Sequence, residues 1–198
     1  MTDDNCPVLI VVSGPPCAGK TTLARRIAQE FRLPLVAKDD IKESLFDSLG
    51  WQDREWSKKL GRATFDLLFY FAEMQLAARR SLVVEANFAA EFHNERFREL
   101  QAKHKFIPLQ IVCHADPETL AQRFRVRWES GARHRGHVDN EIDTQELDTI
   151  LKRNVAPLDI GGEVIEIDTT DFDKVDYTGL LAKIAMAMKS SPNEVRSR

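Results

Sequence analysis

The chain has 198 residues, 43% of them hydrophobic and 30% charged, with a formal net charge of −3. That balance suits one folded domain that buries a core without staples, and it excludes a protein that coats nucleic acid by overall charge, while leaving room for a local basic groove. Cys6, Cys17 and Cys113 form no C-x-x-C pair, and the acidic MTDDNCP start leads into an apolar run too short for a signal-peptide core or a membrane span, so a disulfide framework and a zinc site are disfavoured and a cytoplasmic protein is expected.

Val8-Leu9-Ile10-Val11-Val12 is a β-branched apolar run that predicts a buried strand over 8–13. Gly14 to Thr21 then reads GPPCAGKT, a full match to G-x-x-x-x-G-K-[ST], and Thr22 to Ala28 has helical spacing. Strand, loop and helix in that order let backbone N–H groups curl around the β- and γ-phosphates at a helix N-terminus. Gly14 and Gly19 supply backbone freedom, Lys20 a point charge for the phosphates, and the Thr21 hydroxyl a ligand for Mg²⁺. The candidate nucleotide-binding set is therefore Gly14, Pro15, Pro16, Cys17, Ala18, Gly19, Lys20, Thr21 and Thr22. At Cys17 the leading reading is a small residue at a variable position; the other is a thiolate stabilised by the loop amides, the helix dipole and Lys20.

A short second strand over 34–37 leads into Lys38-Asp39-Asp40-Ile41-Lys42, at the carboxyl edge of the sheet where ligands bind in doubly wound folds. One of the two aspartates can accept the proton of an attacking hydroxyl while the other caps the following helix, and the cation Lys42 can hold the acceptor. The longest predicted helix covers 56–80, with Trp56, Leu60, Ala63, Leu67, Phe71, Met74 and Ala78 as its apolar stripe and Phe65, Phe69 and Tyr70 read as core. A strand over 82–86 ends in Glu85, a candidate to hold Mg²⁺ through water, and Asn87 is a candidate substrate contact.

Further on, 106–113 predicts a strand, and Asp116-Pro117-Glu118 predicts a helix start with Asp as N-cap. Arg123, Arg125, Arg127, Arg133 and Arg135 run through the end of that helix into a Gly-bearing segment, which suits a lid over about 123–140. Arg123 and Arg127, four residues apart, share a helix face and can converge on a transferring phosphate. A last strand is predicted over 163–168 and a polar tail over 190–198. Alternating strands and helices predict a parallel sheet covered on both faces. N-K-x-D directly after a strand and D-x-x-G are both missing, which favours ATP over GTP.

Together these stretches resemble the P-loop kinases related to zeta toxins, chloramphenicol phosphotransferase and polynucleotide kinase, a group often described only as ATP-binding AAA-type proteins. The resemblance spans about 8–170 and is carried by GPPCAGKT, with KDDIK, VVEANF and the arginine segment matched by position and order. It implies an α/β P-loop NTPase fold over 1–189, with a five-stranded parallel sheet in the order 2-3-1-4-5. It also implies a catalytic aspartate at Asp39, an acceptor-binding residue at Lys42 and lid arginines at Arg123 and Arg127. The usual residue at position 42 is Arg, and Lys lacks its bidentate fork, which argues against an acceptor with a phosphate of its own. The expected function is ATP- and Mg²⁺-dependent transfer to a hydroxyl of a small molecule. A polynucleotide 5′-hydroxyl end and a nucleotide-gated switch stand as alternatives.

Overall fold

The computed structural model describes residues 6–189 other than 132, 140–144, 146–148 and 150–154. The expectations for the first five residues, for positions 132 and 140 of the arginine segment and for the tail over 190–198 fall outside the described residues. Five strands, β1 (Val8–Ser13), β2 (Leu35–Ala37), β3 (Leu82–Glu85), β4 (Ile107–His114) and β5 (Glu163–Asp168), pair in parallel in the order β2-β3-β1-β4-β5. This is the order that the resemblance implies.

The sheet separates two apolar layers, because side chains alternate across a strand. Val8, Ile10 and Val12 of β1 face α1 (Lys20–Phe31), α5 (Pro117–Glu129) and α6 (Tyr177–Lys189), whose Leu23, Ile27, Leu120, Leu180 and Ile184 complete one layer. Leu9 and Val11 face the other layer, formed with Leu68, Phe69, Ala72 and Leu76 of α3 (Arg54–Ala77) and Phe97 and Leu100 of α4 (Ala90–Lys103). Both faces of β1 are therefore buried, which is why its sequence reads as a continuous apolar run.

Helix α3 departs from the sequence reading in start and in face. It begins at Arg54, with the Asp53 carboxylate accepting from the Trp56 N–H at 2.8 Å. Its buried stripe is Ser57, Leu60, Thr64, Leu68, Phe69, Ala72 and Leu76, so only Leu60 of the predicted stripe is core, while Tyr70, Phe71 and Met74 are exposed. The small residues let the helix approach the sheet closely, and Thr64 is satisfied inside by donating to the Leu60 carbonyl at 2.7 Å. On α5 the Asp116 cap forms as expected, accepting from the Thr119 N–H at 2.8 Å with Pro117 in the first turn.

Register sets where chemistry gathers. Val12, Glu85 and Ala37 lie in one row across β1, β3 and β2. The loop after β1, the start of α2 (Lys38–Leu49) and the Glu85–Asn87 segment therefore leave the sheet side by side.

Candidate active site

The GPPCAGKT loop is held from both sides. Gly14 has φ 145°, and a Cβ there would sit 2.3 Å from the Cys113 carbonyl oxygen of β4, while at Gly19, φ 72°, a Cβ would sit 2.1 Å from the Phe172 ring. Only glycine meets both demands at these two positions. Thr169, buried just after β5, donates its hydroxyl to the Ala18 carbonyl at 3.0 Å and its backbone N–H to the His114 carbonyl at 2.8 Å, which ties the loop to the sheet edge. Lys20 opens α1 and folds back, its Nζ donating to the Pro15 carbonyl at 2.9 Å. Thr21 Oγ1 donates to Glu85 Oε2 at 2.9 Å.

Above the loop lies a cavity of about 290 Å³, lined by Lys20, Thr21 and Thr22 together with Lys38, Asp39, Glu85, Asn87, Arg123, Arg127 and Arg133. Five cations face two carboxylates there, and the N-terminus of α1 points in the same direction, an arrangement that attracts a multiply charged anion. Thr21 and Glu85 offer adjacent oxygen donors at its floor. Mg²⁺ fits such a pair, because it takes one or two protein oxygens and completes its shell with phosphates and water.

The two aspartates of KDDIK separate. Asp40 turns outward and pairs with Arg25 at 2.9 Å, whereas Asp39 lies at the cavity with Lys38 Nζ at 3.3 Å and Arg133 Nη1 at 3.5 Å. Burial alone would raise the Asp39 carboxyl, but the charges of Lys38, Arg133 and Lys20 override it and hold the group well below the usual carboxylate range. Burial raises Glu85, with the Lys20 charge and the Thr21 hydrogen bond opposing. Burial also pushes the Cys17 thiol up, outweighing Arg127, Lys20 and Arg133. Of the two readings of Cys17, burial favours the small residue at a variable position over the thiolate: desolvation exceeds the pull of the surrounding charge, at a residue held at φ 64°.

A second cavity, of about 560 Å³, adjoins the first and shares Pro16, Lys38, Asn87, Arg127 and Arg133 with it. Its far wall is built from Lys42 of α2, Ser57, Gly61, Arg62 and Phe65 of α3, and Phe88. Lys42 is buried and donates to Ser57 Oγ at 2.9 Å. Burial first, then the neighbouring Lys38 charge, lowers its pKa to about 8 against the opposing pull of Asp39.

The segment 133–139 closes over this junction by docking on α2. Gly136 packs on the Phe46 ring with no room for a Cβ, and His134 stacks on the same ring at 5.2 Å. His137 is buried and its pKa falls to about 2, through burial and the adjacent Arg133, so the ring is neutral. Its Nδ1 accepts from Arg133 at 2.9 Å and its Nε2 donates to Glu43 at 3.0 Å. Arg133 also meets Asp139 at 2.9 Å, which leaves it braced between Asp139 and Asp39.

Residues 9–157 match the family described as an AAA domain. The chain belongs to that family. It is a member of the P-loop kinase superfamily, and the strand order and the loop after β1 are those of its fold. A protein of Chloroflexus aurantiacus J-10-fl, provisionally named a kinase, is 37% identical in a solved structure, with a TM-score of 0.87 over 91% of this chain and 98% of that one. A protein of Pyrococcus furiosus, provisionally named an adenylate kinase, is 26% identical over 82% of this chain and 76% of its own length. The Bacillus subtilis YorR protein is 26% identical over 73% of this chain and 78% of its own length, and its structure, solved in complex with phosphorylated GDP, superposes with a TM-score of 0.51 over 92% of this chain and 95% of that one.

In this P-loop kinase fold, three of the five arginines singled out by the sequence reach the loop cavity: Arg123, Arg127 and Arg133; Arg125 and Arg135 face outward. Arg123 sits toward β5, with Nη2 donating to the Thr169 and Thr170 carbonyls at 2.7 and 3.1 Å and the guanidinium over Phe172 at 4.5 Å. Its buried Nη1 has no acceptor among the described residues. The sequence suggests an acceptor pocket from residues 39–75 with Phe88 and Phe92; Ser57, Arg62 and Phe88 line the larger cavity and Phe92 does not, while Lys38, Ser57 and Arg62 are not singled out one by one. The signal for the α3 pair was the spacing of Arg54, Ser57, Lys58, Gly61, Arg62 and Phe65, which marks one helix face apart from the core stripe.

Proposed function

We propose that this P-loop kinase transfers the γ-phosphoryl group of ATP, with Mg²⁺, to a hydroxyl group of a small molecule. The observation that carries the reading is the pair of adjoining cavities, one strongly cationic over the loop and one partly apolar beyond it, meeting at Lys38 and Asn87 with the Asp39 carboxylate beside them. The loop amides and Lys20 hold the β- and γ-phosphates, and Thr21 and Glu85 hold Mg²⁺, which would neutralise charge building on the bridging and terminal oxygens. Asp39 stays ionised, orients the acceptor hydroxyl and takes its proton as the new O–P bond forms and the bond to the β-phosphate oxygen breaks. Arg127 and Arg133 face both cavities and stabilise the group in flight, while Arg123 offers its free Nη1 from the β5 side. Asn87 lines both cavities and contacts substrate, and the segment carrying Arg133 acts as the lid.

The test is to incubate the protein with γ-labelled ATP and Mg²⁺ in a metabolite extract and to identify labelled products. A labelled phosphomonoester is expected with the wild-type protein and none with Lys20→Ala, which removes the charge aimed at the β/γ-phosphates. An undiminished product from Lys20→Ala would contradict the reading.

A further inference from the structure

We infer that the acceptor carries an anionic group of its own, a phosphate or a carboxylate, which Lys42 and the α3 face bind while the acceptor hydroxyl reaches toward Asp39. The inference rests on the kinase reading above and adds the substrate class. Among the described residues, seven lysine and arginine side chains line the larger cavity with two carboxylates, Glu91 and Asp139; Lys42 and Arg62 are the two on which the inference rests. Asp139 is already taken by Arg133 at 2.9 Å, and the nearby Asp39 by Lys38 and Arg133. Among the described residues Lys42 hydrogen-bonds to the Ser57 hydroxyl, lies over the Phe46 ring and forms no ion pair, although it is buried; Asp39 and Asp139 act on it only at longer range. A buried ammonium with no carboxylate in direct contact is costly unless a ligand supplies the charge, and its depressed pKa, which Asp39 and Asp139 do not cancel, accords with that.

Arg62 is the complement. It lines the same wall from α3, is exposed, and also forms no ion pair among the described residues. Gly61 between them leaves the space open: even a Cβ there would come within 3.8 Å of the Lys42 Nζ. Lysine at position 42, taken alone, points away from a phosphate because it lacks a bidentate fork, but Arg62 supplies that fork from the neighbouring helix. A neutral acceptor would leave both charges uncompensated in a wall of one sign, whereas an anionic one would be drawn in by them. The volume of about 560 Å³ and the apolar surface of Phe65 and Phe124 favour a small molecule over a nucleic-acid end.

The experiment is calorimetric titration of inorganic phosphate into protein saturated with Mg²⁺ and a non-hydrolysable ATP analogue, so that the γ-position is already filled. Phosphate should bind at one site, about tenfold more weakly in Arg62→Gln and in Lys42→Met, while both variants bind the analogue within about threefold of wild type. Acetate titrated in parallel tells the two anions apart: tighter phosphate marks a phosphorylated acceptor, tighter acetate a carboxylate. Arg62→Gln alters an exposed side chain, so it reads binding without disturbing the fold. Analogue binding with no anion binding, or anion binding equal in wild type and both variants, overturns the acceptor class and leaves the kinase reading standing. An absence of analogue binding overturns both. A 5′-hydroxyl oligonucleotide that displaces phosphate more tightly with each added nucleotide overturns the small-molecule class.

Discussion

Asp39 and Asp40 occupy the same first turn of α2, yet a rotation of about 100° per residue sends one to the cavity and the other to Arg25 on the surface. The expected phenotypes diverge accordingly. Asp39→Asn should lower the transfer rate by about 10²-fold or more with ATP affinity nearly unchanged, whereas Asp40→Asn should stay close to wild type in steady-state kinetics. Lys42 gives a pH dependence with a definite sign. The folded protein releases this proton near pH 8, against 10.5 for the free group. Between those values the unfolded chain holds more protons, so the contribution of Lys42 to stability rises with pH through that window. Affinity for an anionic acceptor moves the other way, and its KM should climb above pH 8 while the KM for ATP does not; Lys42→Met should flatten that limb. Burial sets the expectation for Cys17. With the thiol pushed up by burial, alkylation of Cys17 at neutral pH should be no faster than that of a free cysteine, and rapid, nucleotide-protected labelling mapped to it would contradict this.

The strands were legible from sequence because burial on both faces leaves β1 and β3 almost wholly apolar. Helix α3 was not legible in the same way, since it serves the core with one side and a cavity with another. Counting large apolar residues selected Phe71 and Met74, which are exposed, and missed Ser57, Thr64 and Ala72, which are small where the helix packs closely. Gln110 is a second case, a polar residue in the buried centre of β4. Its side-chain amide donates to the Leu158 carbonyl at 2.9 Å and its oxygen accepts from the Leu158 N–H at 2.7 Å, fixing the approach to β5. Gln110→Leu would leave those backbone groups buried and unpaired, and should destabilise the protein by about 2–3 kcal/mol in denaturant unfolding. At Gly61 the sign reverses. A Cβ there meets only ordinary contacts, so Gly61→Ala should stabilise α3 by about 0.5–1 kcal/mol while narrowing the larger cavity.

At the scale of the whole molecule, the parallel order β2-β3-β1-β4-β5 brings the ends of β1, β2 and β3 into one row, and the candidate site is what leaves that row. The phosphate loop was readable because eight consecutive residues carry it between a strand and a helix. The larger cavity draws instead on α2, α3, the segment after β3, α5 and the segment 133–139, and no local pattern records how those pieces face one another. The central claim is transfer to an acceptor other than water. The most direct measurement compares ADP and inorganic phosphate formed from ATP by the purified protein in a metabolite extract. A kinase forms ADP in clear excess over phosphate, with the excess abolished in Lys20→Ala; equal amounts of the two throughout would show that the phosphoryl group goes only to water and would overturn the kinase reading.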